Sequence, residues 1–194
     1  MDSDPVYLHI RVVLSIILGL SITTLVRGLA SIIEHPARRG ASLVHLCWVL
    51  WTLVSVVTFW WWEFRLGEVR QWTFELYLFV IAYCASWYML CVLLFPDDLR
   101  GFESLEQYLL ERRAGFFGLL ALVTLLDLVD TAIKGRSRWQ MLGEAYLVHT
   151  GLMLAMVGVG LVSRRRGVHQ VLAVGALVYQ CGYFLTEYFT LADR

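Results

Sequence analysis

Charge is what this sequence has least of. Only 16% of its 194 residues are Asp, Glu, Lys or Arg, while 59% are hydrophobic. A soluble globular chain carries about a quarter charged residues. So few charges cannot cover the surface of a water-soluble fold, whereas a bilayer removes that demand. Lysine is almost missing: Lys134 is the only one, and the remaining positive charge is arginine. Positive and negative charges balance, which gives no basic excess for nucleic acid and no acidic tail for a cationic partner. Cysteine is limited to Cys47, Cys84, Cys91 and Cys181, all within apolar stretches and none in a CxxC pair, which argues against a zinc or redox motif. The first residues, MDSDPV, carry Asp2 and Asp4 where a signal peptide would carry positive charge, so the first apolar segment is expected to be a retained helix.

Catalytic signatures are also missing. There is no Walker loop, GxSxG, HExxH or dinucleotide fingerprint. No catalytic residue is therefore assigned, no motif supports an intramembrane hydrolase or lipid transferase, and no cofactor is called for by these signatures. Asp97, Asp98, Glu103 and Glu106 are read as a solvated acidic loop rather than a metal cluster.

What is present is a series of long apolar runs. A membrane-crossing helix needs about 20 predominantly apolar residues. Six segments meet this: 10–33, 41–62, 72–95, 114–133, 139–163 and 169–191. They are too long, and too little alternating, for the strands of a barrel. The expected fold is thus all-α, a single polytopic membrane helix bundle spanning 1–194. Between the third and fourth helices, Phe102, Leu105, Leu109 and Leu110 recur near helical spacing, with Glu103, Glu106 and Arg113 between them. This predicts a short amphipathic helix over 102–113 at the membrane interface. Trp60, Trp61, Trp62, Trp72 and Trp139 stand at segment ends, where indole rings anchor helices at the headgroup level.

The arginine-rich, apolar composition resembles that of small bacterial inner-membrane proteins. The positive-inside rule slightly favours Arg38, Arg39, Arg100, Arg112, Arg113 and Arg164 to Arg166 as cytoplasmic, which puts both termini outside. A 3+3 inverted repeat is also suggested. LVRGLASI at 25–32 parallels LVDTAIKG at 128–135, and SLVHL at 42–46 parallels YLVHT at 146–150. Such repeats place a transporter's site at the interface of the halves.

Ionisable residues deep in lipid cost several kcal/mol unless paired or hydrated, and so mark function or a structural pair. Asp127 and Asp130, three apart, share a face of the fourth span. Arg27 is their expected partner, with Ser21, Thr23, Thr24 and Thr124 nearby. His45 and His149 form a second pair, read first as structural and as a distant alternative as haem or metal ligands. Glu187 is a further pathway acid. Gly151 with Ala155, and Gly175 with Gly182, suggest close helix packing, within the chain or against another subunit. Two functional readings follow. One is a small transporter or channel-like protein, as a single chain or a homodimer, with a buried Arg/Asp site. The other is a non-catalytic subunit or assembly factor, in which the polar groups only hold helices together.

Overall fold

In the computed structural model, residues 5–35, 42–69 and 71–192 are described, apart from the side chains of a few, Glu187 among them. The elements are α1 (Pro5–Glu34), α2 (Leu43–Trp62), a 3-10 turn (Glu63–Glu68), α3 (Phe74–Leu94), α4 (Leu105–Glu111), α5 (Arg113–Ile133), α6 (Arg136–Val162) and α7 (Arg166–Ala192). No strand occurs among the described residues. All of these helices except α4 are long and apolar enough to cross a membrane, which makes the chain a six-span, multi-pass membrane protein.

Helix α2 is the centre of the bundle. In its span 61% of residues are buried, against 22–39% in the other five. It packs along α7 and also touches α1 and α3, while α1 lies along α3, α3 along α5, and α5 along α6. These principal pairings do not repeat between the two halves: α1 runs along α3, whereas α5 runs along its immediate successor. The packing scheme is therefore not that of the three-plus-three symmetry suggested by the sequence.

The core is built around Trp48 of α2, which meets Phe116 and Phe117 of α5 edge-on with ring centroids 5.1 and 5.5 Å apart. Lipid is as apolar as the core, so close van der Waals packing holds such helices together. The close approaches fall at Gly28 and Gly160, not at the glycines singled out by spacing. A Cβ on Gly160 would lie 2.4 Å from the ring of Phe117. Gly151, Ala155, Gly175 and Gly182 are exposed instead. Phe117 is itself clamped between Trp48 and Phe116 and cannot yield, so Gly160→Ala is expected to cost about 1–3 kcal/mol, the usual penalty of overpacking. The check is the thermal midpoint in detergent; an unchanged midpoint would mean the ring moves freely.

Two features shape the ends of the bundle. At one end, Ser104 caps α4 by accepting a hydrogen bond from the Gln107 N–H (3.2 Å). Helix α4 is shorter than the amphipathic stretch expected over 102–113, and its apolar side chains Leu105 and Leu109 are buried in the bundle core. Glu106 on α4 pairs with both arms of the Arg166 guanidinium at the start of α7. Burial raises the Glu106 carboxyl, but the hydrogen bonds from Arg166 outweigh it and hold the group below its ordinary range. At the other end, Gly143 interrupts α6 with φ 62° and ψ −160°, backbone that favours glycine. The first turns of α6 are thereby set at an angle to the rest of the helix.

Candidate functional site

The loop end of the bundle formed by the α2–α3 and α5–α6 connections contains a cavity of about 150 Å³. Helical spacing explains its walls. Trp51, Ser55, Phe59 and Trp62 come from one face of α2, and Leu120, Val123, Thr124, Asp127 and Asp130 from one face of α5, with Lys134 just past its end. Helix α6 adds Arg138, Leu142, Tyr146, His149 and Met153, α3 adds Tyr83 and Trp87, and α7 adds Gln180.

Asp127 and Asp130 do share this face, but they are held differently. Lys134 lies one helical turn beyond Asp130, so its ammonium folds back onto that carboxylate at 2.7 Å. The same Nζ reaches Glu63 Oε1 at 3.0 Å. All three side chains are at least nine-tenths buried, with 4–7% exposure. Burial pushes the Glu63 carboxyl up to about 7; Lys134 opposes the shift and Asp130 reinforces it. Burial also works against the charge on Lys134, but Glu63 and Asp130 outweigh it and keep the amine above the ordinary lysine range. The second oxygen of Glu63, Oε2, is buried without a hydrogen-bond partner.

Asp127 has hydroxyl partners instead of a cation. Tyr83 donates to Oδ1 at 3.2 Å and Tyr146 to Oδ2 at 2.7 Å. Thr131 donates in turn to the Tyr146 hydroxyl (3.1 Å), and Trp139 packs edge-on against the Tyr146 ring. The guanidinium of Arg138 sits 4.5 Å from the centroid of Trp62. Beyond these groups the wall is aromatic: Phe59 meets Tyr83 at 4.7 Å and Trp87 at 5.9 Å, and Trp51 meets Trp87 at 6.4 Å. The indole N–H groups of Trp51 and Trp87 are buried without hydrogen-bond partners. Gln180 donates to Ser55 at 3.3 Å, while its Oε1 has none.

Several expectations need correction. Arg27 is not the partner of the aspartates. It is exposed on α1, whose principal neighbours are α3 and α2 rather than α5, and Lys134 takes its place. His45 and His149 do not face each other. His45 is buried near the other end of α2, with Nε2 2.7 Å from the Leu94 carbonyl oxygen, whereas His149 lines the cavity, stacked on Tyr183 and 3.1 Å from the Tyr179 hydroxyl. Among the described residues no group of three or more His, Cys, Asp or Glu is placed to hold a metal ion. The side chain of Glu187 lies outside the described residues. Of the tryptophans, Trp60 and Trp61 are exposed at the end of α2, Trp72 and Trp139 are half-buried, and Trp62 is turned into the cavity wall.

Sequence reading missed Glu63, Lys134, Tyr83, Tyr146 and Gln180 as members of this site. Only Lys134 carried a usable signal, its i,i+4 spacing from Asp130. A second cavity of about 480 Å³ lies between α1 and α2, lined by Tyr7, Arg11, Leu14, Val57, Trp60 and Trp61. Glu63 lines both cavities. Comparison with protein families, with curated proteins and with solved structures finds no match for this chain.

Proposed function

We propose that this protein binds a small solute in the cavity at the α5–α6 end and moves it across the membrane in exchange with protons, with Asp127 as the exchanging carboxylate. One observation carries the reading. Polar groups contributed by α2, α3, α5, α6 and α7 converge on one cavity among apolar spans, with buried hydrogen-bonding atoms of Trp51, Trp87, Gln180 and Glu63 left unmatched. A purely structural network would pair its members, because each unmatched buried polar atom costs about 1–3 kcal/mol. The positive-inside rule orients this end outward in a bacterial inner membrane, with Arg100, Arg112, Arg113 and Arg164 to Arg166 on the cytoplasmic side.

The test is proton flux in liposomes. Wild-type protein is expected to dissipate an imposed pH gradient when a mixture of small solutes (organic cations, amino acids and carboxylates) is trapped on the alkaline side, and Asp127→Asn, shown to be folded by circular dichroism and gel filtration, to lower the rate at least tenfold. Equal flux through the two proteins would remove Asp127 from the path. Flux through neither would favour the second reading, a non-catalytic subunit of a membrane complex. That reading draws on the exposed small residues Gly151 and Ala155 of α6 and Gly175 of α7, which would let a partner helix approach closely.

A further inference from the structure

Charge balance in the cavity bears on what it accepts. Among its described lining residues, Glu63, Asp127 and Asp130 can be negative, and Lys134 and Arg138 positive. His149 is stacked on Tyr183 and bonded to Tyr179. One negative charge is left over when all five groups are ionised. Lys134 is committed to Glu63 and Asp130, and Arg138 lies over Trp62. The uncompensated charge therefore falls on Asp127, which has tyrosine hydroxyls but no ion-pair partner among the described residues. A low-dielectric site does not tolerate a lone charge. The cavity is neutral when it holds one more positive charge, either a proton on Glu63 or Asp127 or a monovalent cation beside Asp127.

The walls and the volume narrow the choice of cation. Trp51, Phe59 and Trp87 present aromatic surface, which attracts organic cations electrostatically through the ring quadrupole. A cavity of about 150 Å³ accommodates roughly one benzene ring in a well-studied engineered case, and the volume here is the same size, about 150 Å³. The unmatched Gln180 Oε1 and the two indole N–H groups add polar contacts along the wall away from Asp127.

We propose that the ligand is a small organic monocation, an amine or compact alkylammonium whose apolar part is no larger than about one aromatic ring, and whose charge replaces a proton at Asp127. This rests on the function proposed above. Binding and protonation at Asp127 are then mutually exclusive. The cation enters, the carboxyl proton leaves to water, and charge in the cavity is unchanged. The titratable groups that share the cavity with Asp127 are Tyr83 on α3, Asp130 on α5 and Lys134 just past its end, Arg138, Tyr146 and His149 on α6, Tyr183 on α7, and Glu63 on the 3-10 turn.

The experiment titrates purified full-length protein in detergent with benzylammonium, its neutral isostere benzyl alcohol, and benzoate, reading the change in tryptophan fluorescence, to which Trp51 and Trp87 on the cavity wall contribute. Benzylammonium is expected to bind at least tenfold more tightly than benzyl alcohol, and benzoate not to saturate. Proton release on benzylammonium binding, read in weakly buffered solution, should accompany an affinity that falls on acidification. Asp127→Asn should lose the preference for the cation. Benzoate binding as tightly as benzylammonium would overturn the proposal, as would cation affinity independent of pH. Both readouts need only wild-type protein, so a poorly folded variant does not block them. Benzylammonium bound without proton flux in liposomes would uphold the ligand class while removing translocation. Proton flux without benzylammonium binding would overturn the ligand class and leave translocation standing.

Discussion

Replacing Lys134 with alanine should be the most damaging single change to the bundle, reducing the yield of folded protein in detergent to a small fraction of wild type. The ammonium is the shared partner of Glu63 and Asp130, and all three side chains are almost fully buried. Removing it leaves two facing carboxylates with no ammonium between them. Breaking a buried pair from one side costs about 3–5 kcal/mol, because the remaining charge stays in a low dielectric. That is a large part of a typical total stability of about 5–15 kcal/mol. The physical cause predicts its own rescue. Lys134→Met combined with Glu63→Gln and Asp130→Asn removes all three charges and should recover most of the folded yield. If Lys134→Ala matches wild type in melting temperature, the ammonium is not the keystone its geometry implies. If the triple variant is as poor as the single one, packing by the lysine stem, rather than charge, holds this end together.

The second large effect is a loss of stability as pH rises. Glu63 is held up to about 7, against an ordinary value of 4.5, by burial in the bundle end. A carboxyl whose folded-state value is raised favours folding in its protonated form. Its contribution is complete below about pH 4.5 and is lost as pH climbs through about 7. With about 1.4 kcal/mol per unit of difference, the swing is at most about 3.5 kcal/mol. For a chain of this size that corresponds to roughly 7–14 °C in melting temperature. The thermal midpoint in detergent should therefore fall between pH 5 and pH 8, and Glu63→Gln should flatten the slope. A wild-type midpoint constant across that window would mean that Lys134 keeps Glu63 ionised throughout.

The bundle itself was written plainly in the chain. Long apolar runs mark the spans because lipid demands them, and all six runs became helices. The limits of those helices were less legible. Helix α1 begins at Pro5 and α6 at Arg136, several residues before the apolar runs, because a helix continues through polar turns that hydropathy counts as loop. That same blindness hid half of the site. Glu63 and Lys134 looked like connector residues, yet helical winding past the apolar runs turns them inward. Asp127 and Asp130 could be placed on one face from spacing alone. Their partners could not, since Arg27 was excluded only by the choice of neighbours for α1. Tyr83 and Tyr146 were invisible for a related reason. A tyrosine in an apolar helix looks like any other aromatic until a carboxylate is seen beside its hydroxyl.

The lysine bridge also sets a clock on biosynthesis. Glu63 must wait for an amine 71 residues further along the chain. At roughly 5–20 residues per second of synthesis, the interval is about 4–14 s. During that time α2 and α3 have been made while the carboxyl that ends α2 has no ammonium to meet. The nascent chain can keep it neutral or leave it at the water boundary, but cannot draw it into the bundle. Closure of this end is therefore a late event, and a ribosome stalled between the third and fifth spans would leave an open intermediate whose exposed acid is available to quality control.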